Sequence, residues 1–452
     1  MNRRRFLATS LSSCALGISR RAWADALQPG GTTGIVKELA GMSLAALRDR
    51  YRHDLFDEFL PLMDKYVVDH RYGGFLCNVN ADGTHSDEIK QTWFLGRGTW
   101  VYSFLYNHFG KSPGHLAVAR GALDLLLKSK PSGENQLWPT NLSVNGKPLT
   151  PPAANIYGDV FIAEGLAEYS RATADRQYWD LAKQILLKCL RVYGRADYDP
   201  GVVSEYSGPR PIPYPGARIQ SVAMVLIRTI AQMLEMHRDA ELESVVSDQV
   251  RAVIEKHFNP EFRLNNELLS HDYSRPTNEL AQFVYTGHSI ETLWIILYEA
   301  VRTADRHLFQ IAAHRFHRHA EVAWDDVYGG AFRSLDNVDE NQWQLDKALW
   351  LQEELMNGSL FVIERTGAPW ARELFGRTYP YVRSKYFVDR LGYSFWISYG
   401  DRKVVLQPKL TRVENYHHPR HLMLSLLVLD RMIRRHGAVS GLLGGDAPGG
   451  IR

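Results

Sequence analysis

The amino-acid sequence predicts an all-α protein closed into an (α/α)6 toroid, a double ring of six inner and six outer helices with short β-hairpins on one end. Three observations carry that expectation. A short turn recurs as Gly110-Lys111-Ser112-Pro113, Thr173-Ala174-Asp175-Arg176, His237-Arg238-Asp239-Ala240, Thr303-Ala304-Asp305-Arg306 and Thr366-Gly367-Ala368-Pro369, at spacings of 63, 64, 66 and 63 residues. Each turn follows a stretch that is apolar on more than one face, the habit of a helix buried on most sides. Each is followed by a more evenly amphipathic stretch, such as DRQYWDLAKQILLKCL, suited to an outer layer. Units of this kind bury their apolar faces on their neighbours, and closing the row leaves no unit with an open face.

In chain order, MNRRRFLATSLSSCALGISRRAWA carries Arg3-Arg4-Arg5 ahead of Phe6-Leu7, a short apolar stretch to Ile18 and the triplet Ala22-Trp23-Ala24. It reads as a twin-arginine-type export signal, residues 1–24, cleaved after Ala24, with a periplasmic destination. Leu11-Ser12-Ser13-Cys14 resembles a lipobox, so lipid anchoring at Cys14 is the alternative. The apolar stretch is far shorter than the roughly 20 residues that span a bilayer, so stable membrane insertion is not expected. Removal of residues 1–24 takes five arginines and no acids; 53 basic and 50 acidic residues become 48 and 50, and the net charge moves from +3 to −2. That balance excludes nucleic acid as a partner. Cys77 and Cys189 remain, too few to staple so long a chain.

Residues 25–35 are expected as a mobile linker, 36–436 as one toroid domain and 437–452 as a flexible Gly-rich tail. The six inner stretches begin near Arg97, Tyr157, Arg218, His288, Lys347 and His417. Between units, Tyr72-Gly73-Gly74-Phe75 and Tyr328-Gly329-Gly330-Ala331-Phe332 each follow an Asp three residues before the Tyr, Asp69 and Asp325, and predict tight hairpins.

In such a ring all inner helices run the same way, so their first turns meet at one mouth. Arg97, Tyr157 with Asp159, Arg218 with Ser221, His288 with Glu291, Trp350 with Glu354, and His417 with Arg420 are expected there, lined by Trp93, Trp294, Trp343 and Trp396. Six helix N-termini favour an anion, and an enediolate is one. Moving a proton on the carbon beside a carbonyl needs a base near neutral pKa, a donor for the developing oxyanion and a dry pocket. Histidine meets the first demand and arginine the second, with no cofactor required. Glu291, one turn after His288, reads as its orienting partner. Arg97 between Gly96 and Gly98 reads equally as a ring salt bridge. His417 and His421 share a helix face but have no complementary carboxylate or cysteine, so no metal is expected. His314, His317 and His319, beside Arg315 and Arg318, read as a solvated outer face.

FLGRGTW (94–100), GHSIETLW (287–294), KALWLQEE (347–354) and YHHPR (416–420) resemble the four hallmark stretches of the N-acylglucosamine 2-epimerase family, in family order, across residues 50–435. The resemblance implies an (α/α)6 barrel that epimerises or isomerises sugars. It implies that Arg97 contacts the carbonyl or enediolate oxygen, that His288 supported by Glu291 and His417 are the two acid/base residues, and that Trp350, Glu354 and Trp396 contact the sugar. Trp294, Tyr157, Asp159, Ser221 and Arg420 complete the expected substrate contacts. Thr286 replaces the family's usual Pro, Leu349 the first Trp of a pair, and Ser221 stands where relatives often carry Asn. These departures touch the pocket wall more than the proton-transfer set.

Three functions follow for comparison. The first is an isomerase acting on a mono- or oligosaccharide, as a monomer or homodimer. The second is a glycoside hydrolase or lyase on the same ring, which needs two carboxylates roughly 5–9.5 Å apart, with Asp159 and Glu354 as the pair. The third is a carbohydrate-binding protein without turnover.

Overall fold

The computed structural model describes residues 34–80, 82–199, 213–386 and 413–442. In chain order its helices are α1 (Leu44–His53), continued through a π-helical turn at Asp54–Phe59 into α2 (Leu60–Tyr66), then α3 (Thr92–His108), α4 (Pro113–Lys128), α5 (Tyr157–Thr173) and α6 (Arg176–Tyr193). There follow α7 (Gln220–Met236), α8 (Ala240–Arg251), α9 (Thr286–Arg302), α10 (Arg306–Ala323), α11 (Leu349–Thr366), α12 (Pro369–Lys385) and α13 (His417–Arg434). The inner ring is α3, α5, α7, α9, α11 and α13, each packed on the next, with α13 meeting α3 to close the circle. Helices α4, α6, α8, α10 and α12 form the outer layer. The five turns account for these five; the sixth outer position is filled from the other end of the chain, by α1 and its π turn against α13.

The turn chemistry explains the period. Asp175, Asp239 and Asp305 cap the outer helices, accepting the N–H of Gln177, Leu242 and Leu308 at 3.0, 3.1 and 2.9 Å. Pro113 and Pro369 start the other two, where a missing N–H costs nothing. Burial then separates the layers. Nearly every residue of α11 from Leu351 to Arg365 is buried, whereas α6 buries a stripe of Trp179, Ala182, Ile185, Leu186 and Cys189. Cys77 and Cys189 are both buried, and neither forms a disulfide. No helix of the described residues is long and apolar enough to cross a membrane.

Two devices fix the mouth. Helices α3 and α5 touch backbone to backbone: a Cβ on Gly165 would lie 2.6 Å from the Gly96 carbonyl oxygen, and one on Gly96 2.6 Å from the Phe161 carbonyl carbon. The glycine before Arg97 therefore serves helix packing. The two predicted hairpin turns are built alike. Asp69 accepts the N–H of Arg71 and Tyr72, and Asp325 those of Val327 and Tyr328, while the paired glycines take left-handed φ of 79° and 80°, and of 76° and 78°. The buried ammonium groups of Lys90 and Lys347 bind these aspartates and a turn carbonyl each, which locks the chain just ahead of α3 and α11. Two-residue ladders, Lys90–Gln91 with Asn141–Leu142 and Arg218–Ile219 with Leu268–Leu269, complete this end.

At the ends of the chain the expected boundaries shift. Val36 N–H bonds Gly437 O at 2.8 Å and Val439 N–H bonds Gly34 O at 3.1 Å, so part of both the expected linker and the expected tail belongs to the packed unit. The rest of 1–33 and 443–452 lies outside the described residues.

Candidate active site

His288, third residue of α9, donates from Nδ1 to Glu267 Oε1 at 2.9 Å. A buried carboxylate in this position accepts, so the proton sits on Nδ1 and Nε2 is the basic nitrogen. Glu267 comes from the strand segment beside α7. It also accepts the Ser221 hydroxyl at 2.8 Å, and Ser221 in turn meets the Tyr157 hydroxyl at 2.9 Å. The Tyr285 ring stacks on the imidazole at 3.8 Å and 11°. Glu291 is not the partner expected for His288: helix geometry turns it instead onto Arg420.

His417 opens α13, and its Nδ1 stands 3.2 Å from Glu414 Oε1. The other oxygen of Glu414 accepts the His417 N–H at 2.7 Å, and Arg97 Nη1 donates to Oε1 at 3.1 Å. Burial opposes ionisation of Glu414, yet His417, Arg97 and the helix N–H together hold its carboxyl well below the usual range. The Arg97 guanidinium lies 4.6, 4.0 and 4.5 Å from the rings of Trp93, Phe161 and Tyr416. Its Nε is buried with no hydrogen-bond partner among the described residues. Burial lowers its pKa, with Glu414 acting against the shift.

Trp350 borders both histidines, its ring 5.9 Å from His288 and 5.5 Å from His417. Below it lies a charged floor. Arg420, fully buried, bridges Glu291 and Glu354, and the Trp294 indole N–H donates to Glu354 at 2.6 Å. Burial raises both carboxyls; Arg420, His417 and His288 outweigh it at Glu291, which stays ionised, while Glu354 is pushed up by burial and by Glu291. Ligand atoms of Glu291, Glu354 and His417 all lie within 4.8 Å of one another. The guanidinium already supplies the cation between the two carboxylates, so the donor set is compensated by the protein itself and does not fit a metal.

Other expected residues fall elsewhere. Asp159 pairs with Lys188 of α6 and accepts the Trp138 N–H at 3.0 Å, which places it between the inner and outer layers. Arg218 braces a loop through Tyr193 O and His271 Nδ1 at 2.7 and 2.8 Å. Trp396 lies outside the described residues. His421 turns to Asn357 and Tyr51, away from His417. Nor is the histidine-rich part of α10 a simple solvated face: His319 is buried, accepting the Asn265 N–H at 2.9 Å, and His317 stacks on Trp370 at 4.3 Å.

Sequence reasoning missed Glu267, Glu414 and Tyr285. Glu414 left a signal, an acid three residues before a helix-opening histidine. Glu267 left none stronger than an acid between Asn266 and Leu268.

A family profile described as N-acylglucosamine 2-epimerase matches residues 73–419. The chain belongs to the N-acylglucosamine 2-epimerase family. N-acylglucosamine 2-epimerase of Bos taurus is 24% identical over 420 residues, covering 90% of this chain and 97% of the relative. The solved cellobiose 2-epimerase of Bacillus thermoamylovorans shares 19% identity at a TM-score of 0.71, over 86% of this chain and 100% of that one. A D-mannose isomerase structure matches at a TM-score of 0.66 and 13% identity, over 86% and 97%. These structures show that the toroid is the family's fold.

Proposed function

We propose that the protein is a sugar 2-epimerase or aldose–ketose isomerase that works by proton transfer between two histidines. The observation that carries this reading is the pair of imidazoles beside one indole, each facing a carboxylate, and a guanidinium sharing one of those carboxylates. A free reducing sugar opens, and one imidazole takes the proton from the carbon beside the carbonyl. The C–H electron pair forms the enediolate C=C bond, and the carbonyl oxygen takes up negative charge beside Arg97. Returning the proton to C2 from the other imidazole gives the 2-epimer; returning it to C1, while the 2-hydroxyl proton passes to O1 and C2 becomes the carbonyl carbon, gives the ketose. The relatives named for N-acylglucosamine, cellobiose and mannose support a reducing sugar as the substrate class.

Incubation of reducing sugars with the protein in heavy water tests this. Deuterium is expected at C2 or C1, and exchange is expected to vanish in His288→Ala and His417→Ala. Product release without solvent deuterium, or full exchange in either variant, would overturn the mechanism. The hydrolase reading loses its acid pair, since Asp159 is tied to Lys188 and Glu354 lies under Arg420. A protein that binds sugars but exchanges nothing would be the non-catalytic form. The arginine-rich N-terminus supports export, and lysine at Arg4 and Arg5 is expected to retain the chain in the cytoplasm on cell fractionation.

A further inference from the structure

Glu353, the fifth residue of α11, precedes Glu354 in the chain but stays out of the Arg420 bridge, which takes Glu291 and Glu354. Its side chain is 1% exposed; Oε1 meets Nδ1 of His418, the second residue of α13, and Oε2 is buried with no hydrogen-bond partner among the described residues. The carboxylates that serve the two acid/base histidines gather several donors each: Glu267 accepts from His288 and Ser221, and Glu414 from Arg97 and the His417 N–H. Glu353 meets a single imidazole. That ring is buried as well, edge-on to Phe59 of the π-helical turn at 5.1 Å.

Three proton arrangements are open to such a pair. An ionised Glu353 beside a neutral His418 strands a charge in the core with one oxygen lacking a donor. Ionising both takes two charges out of water, and their attraction must offset both desolvations. A carboxylic acid that donates its O–H to a neutral imidazole carries no charge and leaves only a carbonyl lone pair unmet, which costs least. The balance of the surroundings agrees. Burial, and then Glu414, hold the Glu353 carboxyl well above the usual carboxylate range, with Arg420 acting against them. Burial draws His418 down to about 4, although Asp54, Glu414 and Glu58 favour its cation. Asp54 is itself held by Arg50 at 3.0 Å and Arg383 at 2.8 Å, and His421, one turn on, is depressed by burial and by His418.

We propose that Glu353 is a neutral carboxylic acid whose O–H donates to His418 Nδ1, and that this uncharged tie between the first turns of α11 and α13 positions His417 without adding a negative charge beside Glu414. The proton of His418 then sits on Nε2. One end of the tie belongs to the helix that carries Trp350 and Glu354, the other to the helix that carries His417 and Arg420. A second anion near Glu414 would compete for Arg97 and hold a proton on His417; a neutral acid does neither. Glu353 and His418 are positioning residues, and their effect on turnover rests on the two-histidine reading.

The infrared difference between wild type and Glu353→Gln near neutral pH reads the proton directly. A protonated-carboxyl carbonyl band that shifts in heavy water is expected from the wild type and not from the variant. Glutamine offers an uncharged N–H donor in the same place, so kcat for deuterium exchange should stay near wild type and the pH profile should not move. Glu353→Ala should lose about tenfold in kcat with KM little changed, as removal of one buried hydrogen bond does. An ionised Glu353 would behave otherwise: removing its charge would disfavour the His417 imidazolium and carry the acidic limb of the profile to lower pH. Absence of the band, a shifted limb in Glu353→Gln, or equal kcat in the Gln and Ala variants would each overturn the proposal. A wild type that exchanges nothing would overturn the two-histidine reading and the catalytic part of this one, while the band would still decide where the proton of Glu353 lies, so the two failures are told apart.

Discussion

His288 and His417 border the same indole and each meets a carboxylate, Glu267 buried and Glu414 partly so, but those carboxylates are held in different company. Glu267 is surrounded by neutral donors, the Ser221 hydroxyl and the Ser221 and Gln220 amide groups, and serves one imidazole. Glu414 is shared among His417, Arg97 and the first N–H of α13. The His288 side chain is 26% exposed and that of His417 10%. A private carboxylate orients one group, whereas a shared one couples the acid/base residue to the oxyanion donor.

The coupling predicts unequal damage. Glu414→Gln should lower the exchange rate most, about 10³-fold, and raise KM as well, because imidazole and guanidinium lose their anchor together. Glu267→Gln should cost about 10²-fold in kcat with KM little changed, since only the tautomer of His288 is released. Equal losses in both variants, read from deuterium incorporation, would erase the distinction. Asp159→Asn sharpens it from outside: kcat should hold, while chemical denaturation shows a loss of about 3 kcal/mol from stranding the Lys188 ammonium in the core.

The smallest effect concerns acid. Burial depresses His319 to about 4, and its neutral ring accepts the Asn265 N–H of the same hairpin that leads to Glu267. A histidine depressed in the folded state contributes stability that is whole above the unfolded value of 6.5 and is lost as pH falls toward 4. The loss should reach on the order of 2 kcal/mol, and His319→Gln should flatten that part of the stability profile. The His417 side carries acid-sensitive groups of its own in the buried His418 and His421, so His319→Gln is expected to remove only the His319 share of the acid loss.

The ring was legible because its period is written in local chemistry: an Asp cap or a Pro at the start of each outer helix needs no distant partner. His288, His417, Arg97 and Trp350 were legible for a related reason, since they sit near inner-helix starts that the toroid must bring together. What escaped depends on side-chain direction and on irregular segments. Glu291 shares a helix face with His288, yet the ion pair that claims it comes from 129 residues away. Asp159 stands at a helix start but points outward to α6, a choice that periodicity cannot make on a helix buried nearly all round. Glu267 reaches His288 only through the ladder that joins Arg218–Ile219 to Leu268–Leu269.

The sixth outer position is completed by the opposite terminus, with the Tyr51 hydroxyl 3.1 Å from His421 Nε2 and Asp54 bound to Arg383 at 2.8 Å. During synthesis, then, α1 must wait for almost the whole polypeptide before its apolar stripe of Leu44, Leu47 and Tyr51 finds cover. A nascent or prematurely stopped chain would display that stripe to chaperones and proteases. It would also lack Glu414 and His417, so turnover would begin only when translation has finished.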